Sequence, residues 1–493
     1  MMKYSWEKYR RKPITLLMAI SLFSAFIALF STLCVYKNAI ILYLILLTFC
    51  SILIFVFMVK NYGWMLVLIS LILCVIVLIP SRVDSMLAID FLERKLGFID
   101  IFFLISITLL GLYYGIKNGI TFPKILVTYA GFMFFLITIS LLSVFVNINK
   151  YDSLAPVFFS FEIFYFPLIL PIFMIDKNYN LSRINHLINI IVILGLIIGI
   201  SGIFISLFGL KYLDYLGWEK MGGVIDISLV REHTTFGGAG PTGIFLVMCF
   251  FLLLAMYLNN RRKSVSIFYL CIIVVYSVAI VLTLTRSVIL AFIFSFFTFV
   301  IVNHRKIFLR RTFFKFALFI TLIFLLPIVL WFFFNLSRLV QFGHESDILR
   351  LSSLKVAFQI FRDYPFLGIG SGSFYPKDGE IELLCYNDMM TARDPHNLYA
   401  LILSEQGIIG IIAHIAFFLF VLNIFYKNME KIYIPDYYRT TLSGIFSGLI
   451  GLFIYSIFSS SIGVMIRLSI FSGIYIGLGI ILIMQLRREE YEK

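Results

Sequence analysis

Apolar runs of helix-spanning length recur along the whole chain, and this pattern restricts the possible fold more than any other feature. A helix of about 20 apolar residues crosses the roughly 30 Å hydrocarbon layer of a membrane. Only 13% of the 493 residues are charged and 61% are hydrophobic, whereas about a quarter of the residues in soluble domains are charged. The sequence therefore predicts an all-α polytopic membrane protein and excludes a soluble domain.

The apolar runs predict about 14 transmembrane helices in one integral membrane domain, residues 1–493. A large polar extracytoplasmic loop, residues 335–397, is inserted between spans 11 and 12 and is predicted to contain short amphipathic helices. The predicted spans are residues 14–35, 39–59, 64–80, 99–116, 125–147, 154–175, 187–210, 241–258, 266–283, 287–303, 316–334, 398–425, 441–460 and 466–485.

Basic residues predict the orientation, because positively charged connections stay on the cytoplasmic side. With the amino terminus inside, the inner connections carry 24 of the 40 Lys and Arg residues and the outer ones carry 16, six of them in the loop 335–397. Both termini are then cytoplasmic, and the protein is a multi-pass protein of the cytoplasmic (inner) cell membrane. Anionic lipid headgroups account for the net charge of +14, so it does not indicate nucleic-acid binding.

Two outer connections carry candidate anion ligands. The first ends in residues 231–243, where glycines and Pro241 precede an apolar run. Free N–H groups at such a helix start bind anions, so Arg231 is a candidate anion ligand. The adjacent Glu232 and His233 are weaker candidates for the chemistry of the site. The alternative interpretation is a flexible loop that leads into a span.

The second connection is the turn 283–287, which holds Arg286 between two apolar spans. An arginine at membrane depth usually pairs with another group or lines a pathway. Arg286 is therefore a candidate anion ligand, with the intramembrane Glu162 as its possible counter-ion. The alternative is an arginine that extends to the outer headgroups.

The loop 335–397 contains a predicted amphipathic helix. Asp347 is predicted to cap its start, and Pro365 with the following glycines closes its end. Apolar residues recur at helical spacing in Leu351, Leu354, Phe358 and Phe361. This stripe indicates a helix at the outer membrane surface, with Lys355 and Arg362 facing headgroups. His344, just before this helix, is a weak candidate site residue.

The end of the loop places a histidine where the chain re-enters the membrane. Asp394 is predicted to cap the next helix with Pro395 in its first turn, which fixes His396 beside Arg393. A histidine held there is suited to act as a general base, although a lone histidine is more often structural.

At these residues the sequence resembles the O-antigen polymerase and ligase family, the Wzy- and WaaL-like polytopic membrane enzymes. The resemblance lies in Arg350 at a helix start, the pattern Pro365-x-x-Gly368-x-Gly370-x-Gly372-x-Phe374, then His396-Asn397 and Glu405-x-Gly407. It implies a glycosyltransferase that moves a glycan from a polyprenyl (undecaprenyl) diphosphate carrier to a sugar hydroxyl at the outer face of the membrane. Such enzymes build O-antigen, capsule or exopolysaccharide.

The resemblance also implies roles for individual residues. Arg286 and Arg350 hold the diphosphate, with Arg231 and Arg393 as further substrate ligands, because guanidinium forks match phosphate oxygens. His396 is the base that removes the proton of the attacking hydroxyl. No metal-ligand spacing occurs among the loop carboxylates, so the transfer is predicted to need neither metal nor cofactor.

The implied partners are the carrier-linked oligosaccharide, a glycan acceptor, the lipid bilayer and other polysaccharide assembly proteins. Polymerase and ligase differ only in the acceptor, and the sequence does not separate them. Two other classes of function remain open: a flippase for lipid-linked oligosaccharides, and a non-catalytic subunit of a polysaccharide assembly machine.

Overall fold

The computed structural model of the chain is mainly helical, and eleven helices and four short strands have described bounds. The described residues are 64–78, 89–91, 94–96, 100, 102–106, 124–148, 157, 160–161, 165–174, 181–208, 238–260, 263–283, 285–308, 344–374, 383–386, 389–392, 395–430, 435–460 and 466–491.

The helices are named here in chain order. They are α1 (Trp64–Leu78), α2 (Lys124–Val146), α3 (Phe166–Phe173), α4 (Leu181–Phe208), α5 (Ala239–Asn259), α6 (Lys263–Leu282), α7 (Arg286–Phe308), α8 (His344–Asp363), α9 (Leu398–Met429), α10 (Asp436–Ile457) and α11 (Ile466–Tyr491).

Eight of these helices, α2, α4 to α7 and α9 to α11, are long and apolar enough to cross a membrane. Each coincides with one of the predicted spans, which confirms the helical, multi-pass architecture. Helix α1 lies in the predicted span 64–80 and α3 in the predicted span 154–175, while 99–116 is described only in part. The predicted spans 14–35, 39–59 and 316–334 lie outside the described residues, so the count of fourteen stays a prediction.

Helix α5 forms the centre of the bundle. Every side chain from Pro241 to Met256 is buried, because the helix is apolar on all sides and other helices surround it. Helices α4, α6, α7 and α10 pack along it. Pro241 lies in its first turn, as the sequence predicted.

Small residues bring the central helices close together. In α10, Gly444 lies against the Phe251 carbonyl of α5, and Gly448 lies against the Tyr475 hydroxyl of α11. This spacing of two small residues one turn apart is typical of helix contacts in lipid, where close backbone approach supplies the packing energy. Close approach at these glycines therefore packs the central helices against one another.

The peripheral helices carry large apolar side chains on the outside. On α2, Phe134 and Phe145 are more than 70% exposed, and on α9 Ile412 is 60% exposed. Aromatic and branched side chains at such positions suit contact with lipid tails, so the exposed rim agrees with a protein embedded in a membrane.

Helix α8 and a short hairpin belong to the polar loop of the sequence. The helix begins at His344, one turn earlier than the Asp347 cap predicted. Strands β3 (Leu383–Tyr386) and β4 (Met389–Ala392) pair antiparallel, and α8 packs against β4. A second antiparallel pair is formed by β1 (Ile89–Phe91) and β2 (Arg94–Leu96), so two small hairpins are added to the predicted all-α architecture.

Candidate active site

Helix α8 packs against the first turns of α9, and the end of the bundle where this happens is termed the loop end. Apolar side chains from both helices and from the chain between them form a separate small core. On another side of α8, Leu351 and Phe358 are more than half exposed, as expected for a helix at a membrane surface. The members of the small core are Val356, Ala357, Ile360, Phe374, Ala400 and Leu401.

The chain that follows α8 enters a break in α9. Gly407 has φ 65° and ψ −162°, which interrupts the helix and leaves backbone groups on both sides without helical partners. Residues 364–374 bond to these groups, and the two paired segments, 364–374 and 404–409, are termed the interlock. The N–H groups of Ile369 and Gly370 donate to the carbonyls of Ser404 (3.0 Å) and Glu405 (2.9 Å), and those of Ile408 and Ile409 donate to the carbonyls of Pro365 (2.8 Å) and Phe366 (3.4 Å).

Two glycines make this backbone contact possible. A Cβ atom on Gly368 would lie less than 3.0 Å from the backbone of residues 404–406, and one on Gly407 would collide in the same way with residues 366–367. Both residues also have positive φ, 64° and 65°, which side chains disfavour. The Gly-rich pattern and the Glu-x-Gly pattern of the sequence are therefore two halves of one backbone contact.

The side chain of Glu405 closes the interlock. It is 3% exposed, and one carboxylate oxygen accepts the N–H of Phe374 at 3.1 Å. The carboxylate also accepts the backbone N–H of Gly372. Buried carboxylates are stable only when hydrogen-bonded, and backbone donors of the loop supply these bonds.

A stripe of small polar residues on α2 holds the interlock from a second side. Ser140 donates to the Ser371 hydroxyl at 2.6 Å, and Ser143 accepts the Ser371 backbone N–H at 3.2 Å. The Asn147 amide donates to the Gly368 carbonyl at 3.1 Å. Hydrogen bonds from two membrane helices, α2 and α9, thus fix the segment 364–374 that follows α8.

His396 lies directly before α9 at the loop end. The helix is capped by Asn397, whose side-chain oxygen accepts the Ala400 N–H at 3.0 Å, so the prediction of an Asp394 cap with Pro395 in the first turn was wrong. Asparagine is a favourable cap residue, and its position moves the helix start to Leu398. His396 is exposed and has φ 50°, the only non-glycine with positive φ among the described residues. Such outliers cluster at functional sites.

Arg286 is the first residue of α7 and is exposed. The turn before it is short, as predicted, because α6 ends at Leu282. The Thr285 carbonyl accepts the N–H groups of Val288 (3.1 Å) and Ile289 (3.2 Å), which fixes the first turn of α7. Nearby, the first turn of α5 is close enough that Gly243 lies against Val288.

Helix α7 runs antiparallel to α10. Asn303 donates to the hydroxyl of Ser443, near the start of α10, at 2.7 Å. Further along, Ser295 lies against Gly451. Continuing the two helices in these directions places Arg286 at the carboxyl end of α10.

Helix α9 meets the same end of α10. The Tyr399 hydroxyl donates to the Phe453 carbonyl at 3.4 Å, and the two rings pack edge to face with centroids 5.6 Å apart. His396 precedes Tyr399 by three positions. The structure therefore brings Arg286 and His396 to one end of the bundle, the loop end.

The other predicted site residues are placed only in part. Arg350 is exposed on α8, six positions before Val356 in the small core. Because α8 begins at His344, Arg350 lies nearly two turns inside the helix, and the prediction that it stands at a helix start was wrong. Arg231 and Arg393 lie outside the described residues, as do Glu162, Glu232 and His233. The side chain of His344 is not among the described ones. Within the described part of the chain, no three His, Cys, Asp or Glu side chains are grouped to hold a metal ion.

Sequence reasoning missed two features at the loop end. Ser140, Ser143 and Asn147 recur at helical spacing within an apolar span, and this polar stripe could have indicated a contact with another segment. Arg467, near the start of α11, is 6% exposed. An arginine this buried at a helix start was visible in the sequence as an intramembrane charge.

These observations define the protein as a multi-pass membrane protein with a polar loop packed into its helix bundle. Comparison with known families then identifies the segment that carries the loop: residues 271–415 match the family described as O-antigen ligase. The match includes Arg286, Arg350 and His396 and confirms the resemblance to the O-antigen polymerase and ligase family. A search of curated proteins found no matching relative.

Proposed function

We propose that the protein transfers a glycan from a polyprenyl-diphosphate carrier to a sugar hydroxyl at the outer face of the cytoplasmic membrane. One observation carries this proposal: the segment that matches the O-antigen ligase family contains an arginine and a histidine, Arg286 and His396, at the same end of the bundle. Arg350 lies on α8, which packs against the helix that follows His396.

The arginines suit the leaving group. When the glycosidic bond breaks, the electron pair of that bond leaves with the carrier diphosphate. Guanidinium groups bind phosphate oxygens through two parallel donors and stabilise the charge that develops there. In this proposal Arg286 and Arg350 hold the diphosphate, and Arg231 and Arg393 contribute from their segments of the chain.

His396 suits the attacking group. The acceptor hydroxyl forms a new bond to the anomeric carbon of the glycan and passes its proton to the imidazole. An imidazole is an effective base near neutral pH. The exposed position of His396 ahead of the Asn397 cap leaves its ring accessible to an acceptor that approaches from the loop end.

The same proposal includes the topology read from the basic residues. The loop end faces the outside, both termini are cytoplasmic, and residues 335–397 form an insertion into one membrane domain. The reaction needs no metal, since arginines take the place of a cation. The partners are the carrier-linked oligosaccharide, a glycan acceptor, the bilayer and other proteins of polysaccharide assembly.

The test is a transfer assay with the purified protein and a lipid-diphosphate-linked repeat unit, with and without a chelator. Product is separated by length on a gel. A ladder that survives the chelator is expected for a polymerase, and one shifted band on an added acceptor is expected for a ligase. A flippase would move the lipid across a vesicle membrane without forming a new glycosidic bond, and that result would overturn the proposal.

A further inference from the structure

Glu405 is a buried carboxylate in a membrane-spanning helix, and the proposed transfer reaction does not use it. Burying a carboxylate is costly unless hydrogen bonds compensate for its lost contact with water, so the partners of Glu405 are informative. Its oxygens face the loop, because they accept the backbone N–H groups of Gly372 and Phe374. The side chain therefore contacts a particular segment of backbone.

That segment connects the two parts of the proposed site. Helix α8 ends at Asp363 and the chain enters the interlock at once, where Pro365 and Phe366 accept N–H groups from α9. The interlock closes at Phe374, where Glu405 holds the last N–H. The end of α8 is thus attached to α9 by backbone hydrogen bonds at one side and by Glu405 at the other.

The attachment fixes two side chains relative to each other. Arg350 lies on α8, and His396 lies directly before α9. The other attachment between the two helices is the small apolar core of six buried residues. Apolar contacts are not directional, so they allow sliding more readily than hydrogen bonds do. Orientation between the two helices must then come largely from the interlock.

We propose that Glu405 is a positioning residue: by holding the N–H groups of Gly372 and Phe374, it sets the geometry between Arg350 on α8 and His396 before α9. This inference rests on the proposed function, since it concerns the same site. A displacement of about 1 Å between reacting groups can cost about 100-fold in rate, so a contact of this kind affects turnover without touching the substrate.

Three substitutions separate positioning from chemistry. Glu405→Gln keeps one oxygen acceptor, Glu405→Asp withdraws the carboxylate by one methylene, and Glu405→Ala removes every acceptor. Glu430→Gln is the matched control, because Glu430 is exposed at the opposite end of the same helix. The folded fraction of each variant is measured first, and activity is expressed per folded protein.

The structural readout is a distance distribution between spin labels on the two helices. Labels are placed at Lys355→Cys on α8 and Ile412→Cys on α9, both exposed positions outside the proposed site, after replacement of the six native cysteines. A narrow distribution is expected for the parent and for Glu430→Gln. A broadened distribution is expected for Glu405→Asp and Glu405→Ala. For Glu405→Gln we expect a width between that of the parent and that of these two variants.

The kinetic readout follows the same order. We expect kcat to fall by about 10- to 100-fold in Glu405→Ala, with a smaller change in KM, because alignment rather than binding is lost. Glu405→Gln is expected to recover part of this loss. A merely structural role would lower the folded fraction and leave the distance distribution and the kcat of the folded protein unchanged, which would overturn the proposal.

Two further outcomes are distinct. If Glu405→Gln loses as much activity as Glu405→Ala while the distance distribution stays narrow, Glu405 acts in the chemistry and the positioning role is wrong. If the parent protein transfers no glycan at all, the proposed function fails, and the label distances alone decide whether Glu405 fixes α8 on α9. Unchanged distances in Glu405→Ala would then reject the inference.

Discussion

The interlock at the loop end and the packing at Gly448 in the centre of the bundle both depend on glycine, but in different ways. Gly448 in α10 is helical, and what it allows is the approach of a side chain, the Tyr475 hydroxyl. Gly368 and Gly407 have positive φ and allow the approach of backbone to backbone. A side chain can rotate away from an intruding methyl group, whereas a hydrogen-bonded backbone cannot.

This difference shows what each region is built to do. The central helices form most of their backbone hydrogen bonds internally, so they contact one another through close packing and through side-chain hydrogen bonds such as that of Tyr475. The interlock leaves carbonyl and N–H groups of α9 for another segment to bond. The interruption at Gly407 removes some hydrogen bonds within α9 and replaces them with directional hydrogen bonds to the segment 364–374. A site assembled from two helices requires such a directional attachment.

The largest expected effect comes from placing a methyl group in the interlock. Gly368→Ala combines a disfavoured φ with a backbone collision, so we expect most of the folded protein to be lost. Gly131→Ala on α2 is the matched control, since no atom lies within 4 Å of the added methyl. The measurement is the monodisperse fraction after detergent extraction, followed by thermal unfolding. Equal melting temperatures for the two variants would contradict the backbone contact.

Gly448→Ala sharpens the comparison at the centre of the bundle. The added methyl group meets the Tyr475 hydroxyl. Displacing this hydroxyl breaks the hydrogen bond in which its single proton is shared between the carbonyls of Met248 (3.1 Å) and Gly444 (3.3 Å). We expect a folded protein with a free energy of unfolding lower by about 1–3 kcal/mol. A complete loss of folded protein, as for Gly368→Ala, would remove the distinction between the two regions.

Substitution of His396 tests its proposed role as the general base and should have little effect on the fold. His396→Asn keeps a residue that tolerates positive φ and removes the base. We expect transfer activity to fall by about 10²- to 10⁴-fold, the usual contribution of a general base. The melting temperature should stay within about 2 °C of the parent, because the side chain is exposed. Activity equal to that of the parent would show that His396 is not the base.

Two arginines on α8 give a graded test along one helix. Arg350→Ala is expected to lower kcat by about 10²- to 10³-fold, the cost of removing one donor to a developing anion. Arg362→Ala, also exposed on α8, should change kcat by less than about 3-fold, since it faces headgroups in our interpretation. Equal losses in both variants, measured in the transfer assay, would indicate a general effect of charge.

The smallest expected effect is on the polar stripe of α2. Asn147→Ala removes the bonds of the amide to the carbonyls of Ser143 and Gly368. We expect the free energy of unfolding to fall by about 1–3 kcal/mol, with activity reduced only a few-fold. Thr128→Ala, at the opposite end of α2, is the control because its hydroxyl bonds only within its own helix in an exposed position. No difference in stability between the two variants would show that the α2 contact is unimportant.

Much of the fold could be predicted because hydropathy is a local property. Eight predicted spans coincide with helices, and the amphipathic helix of the loop was placed within one turn of its observed start. The cap of α9 was predicted at Asp394 but is Asn397, because both residue types are good helix caps and the sequence does not choose between them. The turn that carries Arg286 and the position of His396 at the start of α9 followed from the same local reasoning.

The sequence by itself determined that the chain is a bundle of membrane helices with a polar loop, because each apolar run must enter lipid whatever its neighbours do. Only the tertiary structure decided that the glycines and Glu405 form the interlock. Their hydrogen bonds join residues between 31 and 43 positions apart, and no local pattern states which carbonyl a distant N–H will meet. The physical reason is that the tendency of a segment to enter lipid depends on the polarity of its own side chains, whereas a backbone hydrogen bond between segments depends on where the partner group lies.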